Sequence, residues 1–445
     1  MPLLVLRDSA VAHNILAMAA WCARAGVQLA PHGKTTMAPQ LIERQLAAGA
    51  WGVTAATISQ VQVFRSFGVQ RVLLANQLTD PAGIRWLAAE LAADPDFECY
   101  VYVDSPAGVA LLDLALRTAA APRPLGVLVE LGFPGGRTGC RTVDDALATA
   151  AAVASAAVAA RVATGSAALS LAGVAGYEGG IGSDSAPATL EAVAEYCRRL
   201  RGLAQSLFAG QASSAAPADA HSAAATPPIG TPSAVQPNAA PRTTSKPSAG
   251  QSSGSGPIIT AGGSAYFDIV TRELTASASG DPPAIVVLRS GCYLTHDDGQ
   301  YARIGPAGRQ ASLVPRTANS VQSPAGPAGP ELIPALELWA PILSRPEPGL
   351  ALACAGRRDV SFDMGMPVPL RIRRPDGELR PADRLTVTRL DDQHAYLSVP
   401  ADVELAPGDL VCLGISHPCT TFDKWRVVPV VDDAYRVIDA VHTFF

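Results

Sequence analysis

A lysine is the first residue in this chain whose type and setting could do chemistry. Lys34 lies in the segment 29-LAPHGKTTMAPQ-40, directly after a short apolar run. The Gly-Lys-Thr order resembles the end of a phosphate-binding P-loop. That loop needs a glycine five residues before Gly33, where this chain has Gln28. Pro31 also removes one of the backbone N–H groups that a phosphate would need, so the P-loop interpretation fails.

A different use of Lys34 is as an imine-forming amine. Most lysines are solvated surface charges, and that interpretation stays open at this point. Lys34, however, lies beside His32 in an apolar corner between a predicted strand and a predicted helix. Partial burial makes an amine easier to deprotonate, which formation of a Schiff base requires. Pyridoxal 5'-phosphate is the leading cofactor for such a residue, and we predict that Lys34 binds it covalently.

A histidine and a cysteine two residues apart give the strongest metal signal. His417 and Cys419 lie in 416-SHPCTTFDKW-425, and on an extended backbone both side chains leave the same face. Imidazole plus thiolate suits a divalent metal, Zn²⁺ or Mn²⁺. Two protein ligands leave positions for water and substrate, as a catalytic metal requires. Taken alone, the pair is also compatible with coincidence.

A glycine-rich turn could bind the phosphate of such a cofactor. Gly262, Gly263 and Ser264 follow a predicted strand and open a predicted helix. Backbone N–H groups and a hydroxyl at a helix N-terminus form an anion site. An ordinary turn is the alternative.

An arginine and a tyrosine follow two other predicted strands. Arg137 lies in the glycine-rich corner 129-VELGFPGGRTGC-140, where it could approach a flat ligand, or else form a structural salt bridge. Tyr177 follows the next predicted strand and could contact a ring. His296 could lie near the metal, whereas Asp297 and Asp298 beside it suggest a turn.

These residues need a scaffold that brings strand ends together. Apolar runs of strand length alternate with Ala/Leu-rich helical segments. The predicted strands are 27–30, 51–55, 71–76, 98–104, 125–131, 171–177, 257–262 and 284–290. Runs of this kind are typical of parallel strands buried on both faces, and eight units in a row favour a closed (β/α)₈ barrel. In a barrel, residues after the carboxyl ends of the strands meet at one mouth, where the chemistry takes place.

The pattern changes in the second part of the chain. From about residue 331 helical spacing vanishes, and short apolar runs are separated by Gly, Pro and Asp turns. The runs are 349–355, 385–390 and 410–415. We therefore predict a barrel over residues 1–290 and a mostly β domain over residues 291–445, which carries the metal pair.

Two stretches interrupt this organisation. Residues 209–256 are rich in Ala, Ser, Pro, Gly and Thr and have few large apolar side chains. Such a segment cannot bury enough surface to offset the entropy of ordering it, so we predict a disordered insertion. A shorter stretch, 305–330, has a similar composition.

Composition excludes some classes of protein. The net charge of −5 and the pI near 5.8 argue against nucleic acid as a partner. No apolar run has the length of a membrane span, and the N-terminus lacks a signal-peptide pattern. Eight cysteines are scattered along a chain too long to need disulfides, so we predict a reduced, soluble, cytoplasmic protein. Because Met1 stands almost directly before the apolar run 3–6, the true start is left open.

Four motifs together resemble one family. They are 31-PHGKTTMAPQL-41, 137-RTG-139, 176-GYEGG-180 and 414-GISHPCTTFDKW-425. In these motifs the chain resembles the D-serine dehydratase and D-threonine aldolase family of fold-type III, alanine-racemase-like pyridoxal phosphate enzymes. The segment HPCTTFDKW is also similar to the matching segment of bacterial proteins called amino acid deaminases. The resemblance covers nearly the whole chain outside the two stretches rich in small residues.

The resemblance implies a role for each candidate residue. Lys34 would carry pyridoxal phosphate, and the Gly262–Ser264 turn would hold its phosphate. Arg137 would lie near the phenolic oxygen of the cofactor, and Tyr177 beside its pyridine ring. The family is usually a head-to-tail homodimer in which the β domain of one subunit closes the site of the other.

The resemblance also suggests a metal and a reaction. His417 and Cys419 would match the metal pair of the dehydratases, whereas the aldolases more often have Asp in the second place. Cys419 therefore favours elimination of water from a D-3-hydroxy amino acid such as D-serine, which gives a 2-oxo acid and ammonia. Retro-aldol cleavage to glycine and an aldehyde is the alternative. A non-enzymatic protein that buffers pyridoxal phosphate is a third hypothesis, against which the β domain and the metal pair argue.

Overall fold

The computed structural model describes residues 1–209, 256–276, 283–313 and 329–445. The strands are β1 (Leu3–Arg7), β2 (Gln28–Leu29), β3 (Val53–Ala55), β4 (Arg71–Gln77), β5 (Glu98–Val103), β6 (Leu125–Leu131), β7 (Leu169–Gly176), β8 (Ile258–Ala261), β9 (Ile285–Leu288), β10 (Leu336–Glu347), β11 (Leu350–Ala353), β12 (Val368–Arg373), β13 (Leu379–Pro381), β14 (Thr386–Leu390), β15 (Ala395–Ser398), β16 (Leu410–Gly414), β17 (Val427–Val431) and β18 (Val437–His442). The helices are α1 (Asp8–Ala25), α2 (Pro39–Ala47), α3 (Ile58–Ser66), α4 (Pro81–Ala93), α5 (Pro106–Thr118), α6 (Val143–Thr164), α7 (Pro187–Phe208), α8 (Phe267–Thr275), α9 (Gln300–Ile304), α10 (Pro306–Leu313) and α11 (Cys419–Phe422).

Strands β2 to β9 form a parallel sheet of eight strands, and each overlaps one of the runs predicted as a strand. The order in the sheet is β2-β9-β8-β7-β6-β5-β4-β3. The two end strands of this order also meet. The Trp51 N–H donates to the Leu29 carbonyl at 2.7 Å, and the Thr54 N–H donates to the Pro31 carbonyl at 2.9 Å. The predicted (β/α)₈ barrel is therefore confirmed.

The barrel is held by two apolar layers. Its interior is filled from the strands, and a larger cluster packs between strands and helices. The interior residues are Ala30, Leu73, Tyr102, Leu128, Ala175, Ile258 and Val287. Each burial of a large apolar side chain stabilises the fold by about 1.5–3 kcal/mol relative to exposure. Because the interior is filled, ligands have access only at the ends of the barrel.

Local signals start and stop the barrel helices. At the start of α6, the Thr142 hydroxyl accepts from the Asp145 N–H, and the Asp145 carboxylate accepts from the Thr142 N–H. This reciprocal capping box satisfies N–H groups that have no partner inside the helix. The helix ends at Gly165, whose φ of 85° is the left-handed conformation that glycine adopts without a steric penalty.

Helix α6 has the length and composition of a membrane-spanning segment, with a mean hydropathy of 1.7. No run of this length is expected from the sequence, so that expectation is wrong by this criterion. The high hydropathy comes from alanine rather than from large apolar residues. Because Ala146, Ala150 and Val153 pack in the barrel core, length and composition are a weak indication of a membrane span here.

A second, mostly antiparallel sheet forms the other domain. Its main path is β13-β12-β16-β10-β1-β17-β18, and β11, β14 and β15 extend it from β10. The runs predicted at 349–355, 385–390 and 410–415 correspond to β11, β14 and β16. The mostly β character of the C-terminal domain is therefore confirmed.

The first strand of the chain belongs to this second sheet. Strand β1 lies between β10 and β17, with Leu4 opposite Leu338 and Leu6 opposite Val430. Leu4 and Leu6 are fully buried in the core of the β domain. The domain boundary at residue 290 stays a prediction. Residues 3–7 come before that boundary in the chain, but their backbone pairs with the second sheet, so β1 belongs to the β domain.

The two stretches predicted to be unstructured lie mostly outside the described residues. Residues 306–313, however, form helix α10, so the prediction of unstructured chain is wrong there. Pro306 starts this helix with a favourable backbone angle. Arg309 then fixes the helix to the barrel, because its guanidinium donates to the Ala265 carbonyl at 2.6 Å and to the Asp268 carboxylate at 2.5 Å.

Candidate active site

Lys34 lies at the mouth of the barrel. Gly33, Lys34 and Thr35 form a single 3₁₀ turn shortly after β2. A side chain at Gly33 would have its Cβ 2.5 Å from the Phe64 ring, so glycine is required there. The turn is therefore packed tightly on the barrel wall, and Lys34 is only partly exposed at its surface. The chain has three lysines, and the other two are Lys246 and Lys424.

His32 shares this mouth with three cationic side chains. Burial, followed by the positive charges of Lys34, Arg289 and Arg137, holds the pKa of His32 well below its usual range. The Nδ1 atom of His32 is buried without a hydrogen-bond partner. A neutral imidazole with an unsatisfied nitrogen, surrounded by cations, suits contact with a polar, anionic ligand.

Arg137 and Tyr177 are brought together, as their placement after neighbouring strands predicts. The Arg137 guanidinium lies 4.4 Å from the centre of the Tyr177 ring. Both residues line a cavity of about 220 Å³ together with Glu130 and Thr138. Burial and the charge of Glu178 raise the pKa of Tyr177, so this ring stays a neutral phenol. A cation stacked on a phenol could cover one face of a flat cofactor.

The predicted phosphate turn contacts a carboxylate in this structure. The N–H groups of Gly262 and Gly263 donate to the Glu178 carboxylate at 3.1 and 2.5 Å. The Ser264 hydroxyl accepts from the Cys292 N–H at 3.1 Å. The turn does present N–H groups to an anion, which fits its predicted use. If a phosphate bound here, Glu178 would either share the two N–H groups with it or lose them to it.

Removal of the Glu178 carboxylate should destabilise the cofactor-free protein. In Glu178→Ala the buried N–H group of Gly262 and the partly buried N–H group of Gly263 lose their acceptor, which costs about 2 kcal/mol. We expect a lower midpoint in urea unfolding, part of which returns when pyridoxal phosphate is added. Glu191→Ala, which removes an exposed partner of Arg198, is the matched control and should change stability by less than about 0.5 kcal/mol. Equal effects of the two substitutions would contradict this prediction.

The predicted metal pair lies against the Lys34 turn. The Cys419 Sγ atom is 3.4 Å from the Thr35 Oγ1 atom and 3.4 Å from the Cys292 Sγ atom. Cys419 opens the short helix α11 of the β domain, whereas Thr35 and Cys292 belong to the barrel mouth. The Cys292 thiol, and after it the partly buried His417, hold the pKa of Cys419 well below its usual range. Cys419 therefore has thiolate character, as a metal ligand requires.

A carboxylate orients His417. The Nδ1 atom of His417 is 2.7 Å from the Asp363 carboxylate, and the Thr420 hydroxyl donates to the same carboxylate at 2.8 Å. Burial alone would lower the pKa of His417, but Cys419 and Asp363 together raise it to about 9. Metal-binding histidines usually donate their second nitrogen to a carboxylate in this way. This arrangement leaves Nε2 for a ligand.

The donor chemistry at His417 and Cys419 thus fits a divalent metal. Among the described residues, no group of three or more His, Cys, Asp or Glu side chains is placed to hold a metal ion. Three residues at the site were not predicted from the sequence as functional candidates: Cys292, Asp363 and Glu178. Asp363 is 54 residues from His417, with no motif to connect them. The position of Cys292 after the eighth barrel strand was a usable signal.

His296 lies at a small cavity, and its neighbour Asp297 forms a turn. His296 lines a small cavity with Ser264 and Tyr301, and burial lowers its pKa to about 4. The Asp297 carboxylate accepts from the N–H groups of Gly299, Tyr301 and Ala302. Asp297 therefore caps the turn into α9, in agreement with the turn predicted from the sequence.

Comparison with known proteins agrees with this architecture. The domain family described as "Putative serine dehydratase domain" matches residues 335–431. A D-threonine aldolase from Arthrobacter sp. is 34% identical over 151 residues, which are 34% of this chain and 38% of that protein. The resemblance to the D-serine dehydratase and D-threonine aldolase family is confirmed. The sequence match spans well under half of the curated relative, so the activity of the whole chain is a matter for proposal.

Solved structures agree over the full length. D-threonine aldolase from Filomicrobium marinum has a TM-score of 0.71 at 23% identity and covers 100% of this chain and 95% of that one. D-threo-3-hydroxyaspartate dehydratase from Delftia sp. HT23 has a TM-score of 0.64 at 18% identity, with 100% and 97% covered. Alanine racemase from Bacillus anthracis has a TM-score of 0.54 at 12% identity, with 99% and 97% covered. The chain has the alanine-racemase-like fold.

Proposed function

We propose that this protein is a pyridoxal phosphate- and divalent metal-dependent lyase that removes water and ammonia from a D-3-hydroxy amino acid such as D-serine. The observation that carries the proposal is the contact between the Lys34 turn and the metal pair. The Thr35 hydroxyl, next to Lys34 in the chain, is 3.4 Å from the Cys419 sulfur. A substrate held at Lys34 would therefore have its β-hydroxyl within reach of a metal at His417 and Cys419.

The residues around Lys34 would hold the cofactor. Lys34 would bind it covalently, Arg137 and Tyr177 would contact its ring, and the Gly262–Ser264 turn would bind its phosphate. Bound pyridoxal phosphate supplies an electron sink for a carbanion at the substrate Cα. Besides holding the cofactor, Lys34 would act as the general base that removes the proton from the substrate Cα.

The metal pair would assist the departure of the hydroxyl. Hydroxide is a poor leaving group, and a divalent metal supplies Lewis acidity toward the substrate oxygen. His417 and Cys419 would hold the ion at the edge of the barrel mouth. Asp363 would keep His417 oriented and its Nδ1 proton in place. Residues of the barrel would therefore support formation of the carbanion, and residues of the β domain would assist departure of the hydroxyl.

Retro-aldol cleavage is the second candidate. It is favoured by the 34% identity over 151 residues with a D-threonine aldolase. Elimination is favoured by Cys419 and by the match of residues 335–431 to the dehydratase domain family. Both reactions use the same cofactor and a metal near the β-oxygen, so the bond that breaks decides between them.

D-threonine distinguishes the two reactions by their products. We expect 2-oxobutyrate and ammonia, because Cys419 and the match of residues 335–431 to the dehydratase domain family favour elimination. The test is product analysis with purified protein, pyridoxal phosphate and either Zn²⁺ or Mn²⁺, followed by a panel of D- and L-3-hydroxy amino acids. Glycine and acetaldehyde would instead establish cleavage of the Cα–Cβ bond. Absence of turnover on the whole panel, despite bound cofactor, would favour a cofactor-buffering protein.

Two further parts of the proposal concern assembly and location. We expect a homodimer whose β domains close the partner sites, as the family resemblance implies, and sedimentation in solution would test this. We also place the protein in a reducing compartment, the cytoplasm. All eight cysteines are free thiols, which supports that placement because oxidising compartments favour disulfides.

A further inference from the structure

Cys292 is a buried thiol that has no part in the function proposed above. It follows β9, the eighth barrel strand, and is 5% exposed. Its Sγ atom is 3.4 Å from the Sγ atom of Cys419, which belongs to the β domain. Two thiols from different domains thus meet beside the turn that carries Lys34.

The spacing of the two sulfurs is close to that needed for a covalent bond between them. A disulfide bond is about 2.05 Å long, so each sulfur would have to move by about 0.7 Å. A rotation of about 25° about each Cα–Cβ bond gives a movement of this size and stays inside a rotamer well. The two thiols can therefore be joined by side-chain rotation.

The barrel backbone fixes the position of Cys292. Its N–H donates to the Ser264 hydroxyl at 3.1 Å. The preceding residue, Gly291, packs so closely that a Cβ there would be 2.6 Å from the His32 carbonyl oxygen. The thiol is therefore held next to Cys419 before any reaction takes place.

The two thiols differ in their exposure. Cys419 is partly exposed at the start of α11, whereas Cys292 is buried. In redox-active pairs of cysteines, an accessible thiol reacts with the oxidant and a neighbouring thiol resolves the product. Cys419 suits the first role, and Cys292 suits the second.

We propose that Cys419 and Cys292 form a reversible disulfide when the protein is exposed to hydrogen peroxide. The peroxide transfers one oxygen atom to the Cys419 sulfur, which becomes a sulfenic acid, and the rest of the peroxide leaves as water. The Cys292 sulfur then attacks the Cys419 sulfur, the S–O bond breaks, and the oxygen leaves as a second water with the Cys292 proton. Two thiols are thus oxidised by two electrons and one peroxide is reduced to two waters. A small thiol reverses the reaction by exchange.

The disulfide would also keep a metal from the predicted metal pair. A cysteine binds a metal as the thiolate, and a sulfur in a disulfide carries no such charge. Oxidation and metal binding are therefore alternative states of Cys419, and the disulfide would leave His417 without its partner. This consequence rests on the proposed function, whereas formation of the disulfide does not.

Mass mapping of the crosslink tests the inference. Full-length protein with bound pyridoxal phosphate is freed of metal with a chelator, treated with hydrogen peroxide, alkylated, and digested with trypsin without a reductant. We expect a crosslink between the tryptic peptides 290–303 and 390–424, which separate when dithiothreitol is added. Oxidation of Cys419 to a sulfinic acid, with no crosslink, would overturn the inference.

Variants identify the two sulfurs, because Cys412 lies on the same tryptic peptide as Cys419. The crosslink should be absent from Cys292→Ser and from Cys419→Ser. It should form at the native level in Cys354→Ser, the matched control, which removes a partly exposed thiol after β11. Circular dichroism checks that each variant is folded. A crosslink that persists in folded Cys292→Ser would reject the pair.

Added Zn²⁺ separates this inference from the proposed function. With Zn²⁺ at about ten times its dissociation constant, the fraction of free Cys419 thiol falls about 10-fold by mass action, so crosslinking should slow by that factor. Crosslinking at an unchanged rate would support the disulfide and reject Cys419 as a metal ligand. Bound zinc without any crosslink in the metal-free protein would support the metal pair and reject the disulfide.

Discussion

Lys34→Ala should reduce turnover of the preferred D-amino acid by at least about 10⁴-fold, because it removes both the covalent attachment of the cofactor and the base at Cα. The visible absorbance of the lysine-bound cofactor should disappear as well. Borohydride reduction of the native protein should fix the cofactor on one peptide, the one that contains residue 34. Steady-state kinetics, absorbance spectra and peptide mass mapping measure the three effects.

The small number of lysines makes this a sharp test. Lys424, whose amine is 3.5 Å from the Asp423 carboxylate in the β domain, is the matched control, and Lys424→Ala should retain both turnover and absorbance. Lys246 lies outside the described residues. Cofactor attached to either of these lysines, or full turnover in Lys34→Ala, would refute the assignment of Lys34.

Loss of the metal should stop elimination while the cofactor stays bound. In Cys419→Ala, and in native protein treated with a chelator, we expect turnover at least about 100-fold lower, because the Lewis acid that assists the leaving hydroxyl is gone. The cofactor absorbance should persist, since Lys34 and the phosphate turn belong to the barrel. Metal content measured by mass spectrometry should fall in parallel with turnover.

Two comparisons give this experiment its controls. Zn²⁺ added back should restore turnover to the chelated native protein but not to Cys419→Ala. Asp363→Asn keeps the size of the residue that orients His417, so it should lower metal affinity by about 10–100-fold and leave activity recoverable at high Zn²⁺. Full activity in metal-free protein would show that the reaction uses no metal.

The parts of the fold that depend on local pattern were predictable. The eight barrel strands are buried on both faces, so each reads as an apolar run of the right length. Strand β1 was not predictable in this way, because four apolar residues say nothing of a partner such as Val430, more than 400 residues away in the chain. Helix α10 was missed because its Pro, Gly and Ala content hides contacts, through Arg309, that exist only in the folded barrel.

The site shows the same difference between residues recognisable from local sequence and residues that depend on distant contacts. Lys34, His417 and Cys419 could be found because each lies in a short segment with a recognisable chemical context. Asp363 could not, because a lone aspartate has no signal until the chain folds and brings it 2.7 Å from an imidazole. Glu178 was missed for a related reason, since its carboxylate meets Gly262 and Gly263 only through the neighbouring barrel strands.

The position of β1 also bears on how the polypeptide matures during translation. Residues 3–7 are synthesised more than 400 residues before β17, the strand that they join on one side. The barrel strands are synthesised before β10 and β17, the two partners of β1, so β1 stays unpaired while the barrel assembles. Contacts between such distant parts of a chain form slowly. Because β1 has only five residues, little unpaired strand edge is exposed during that time.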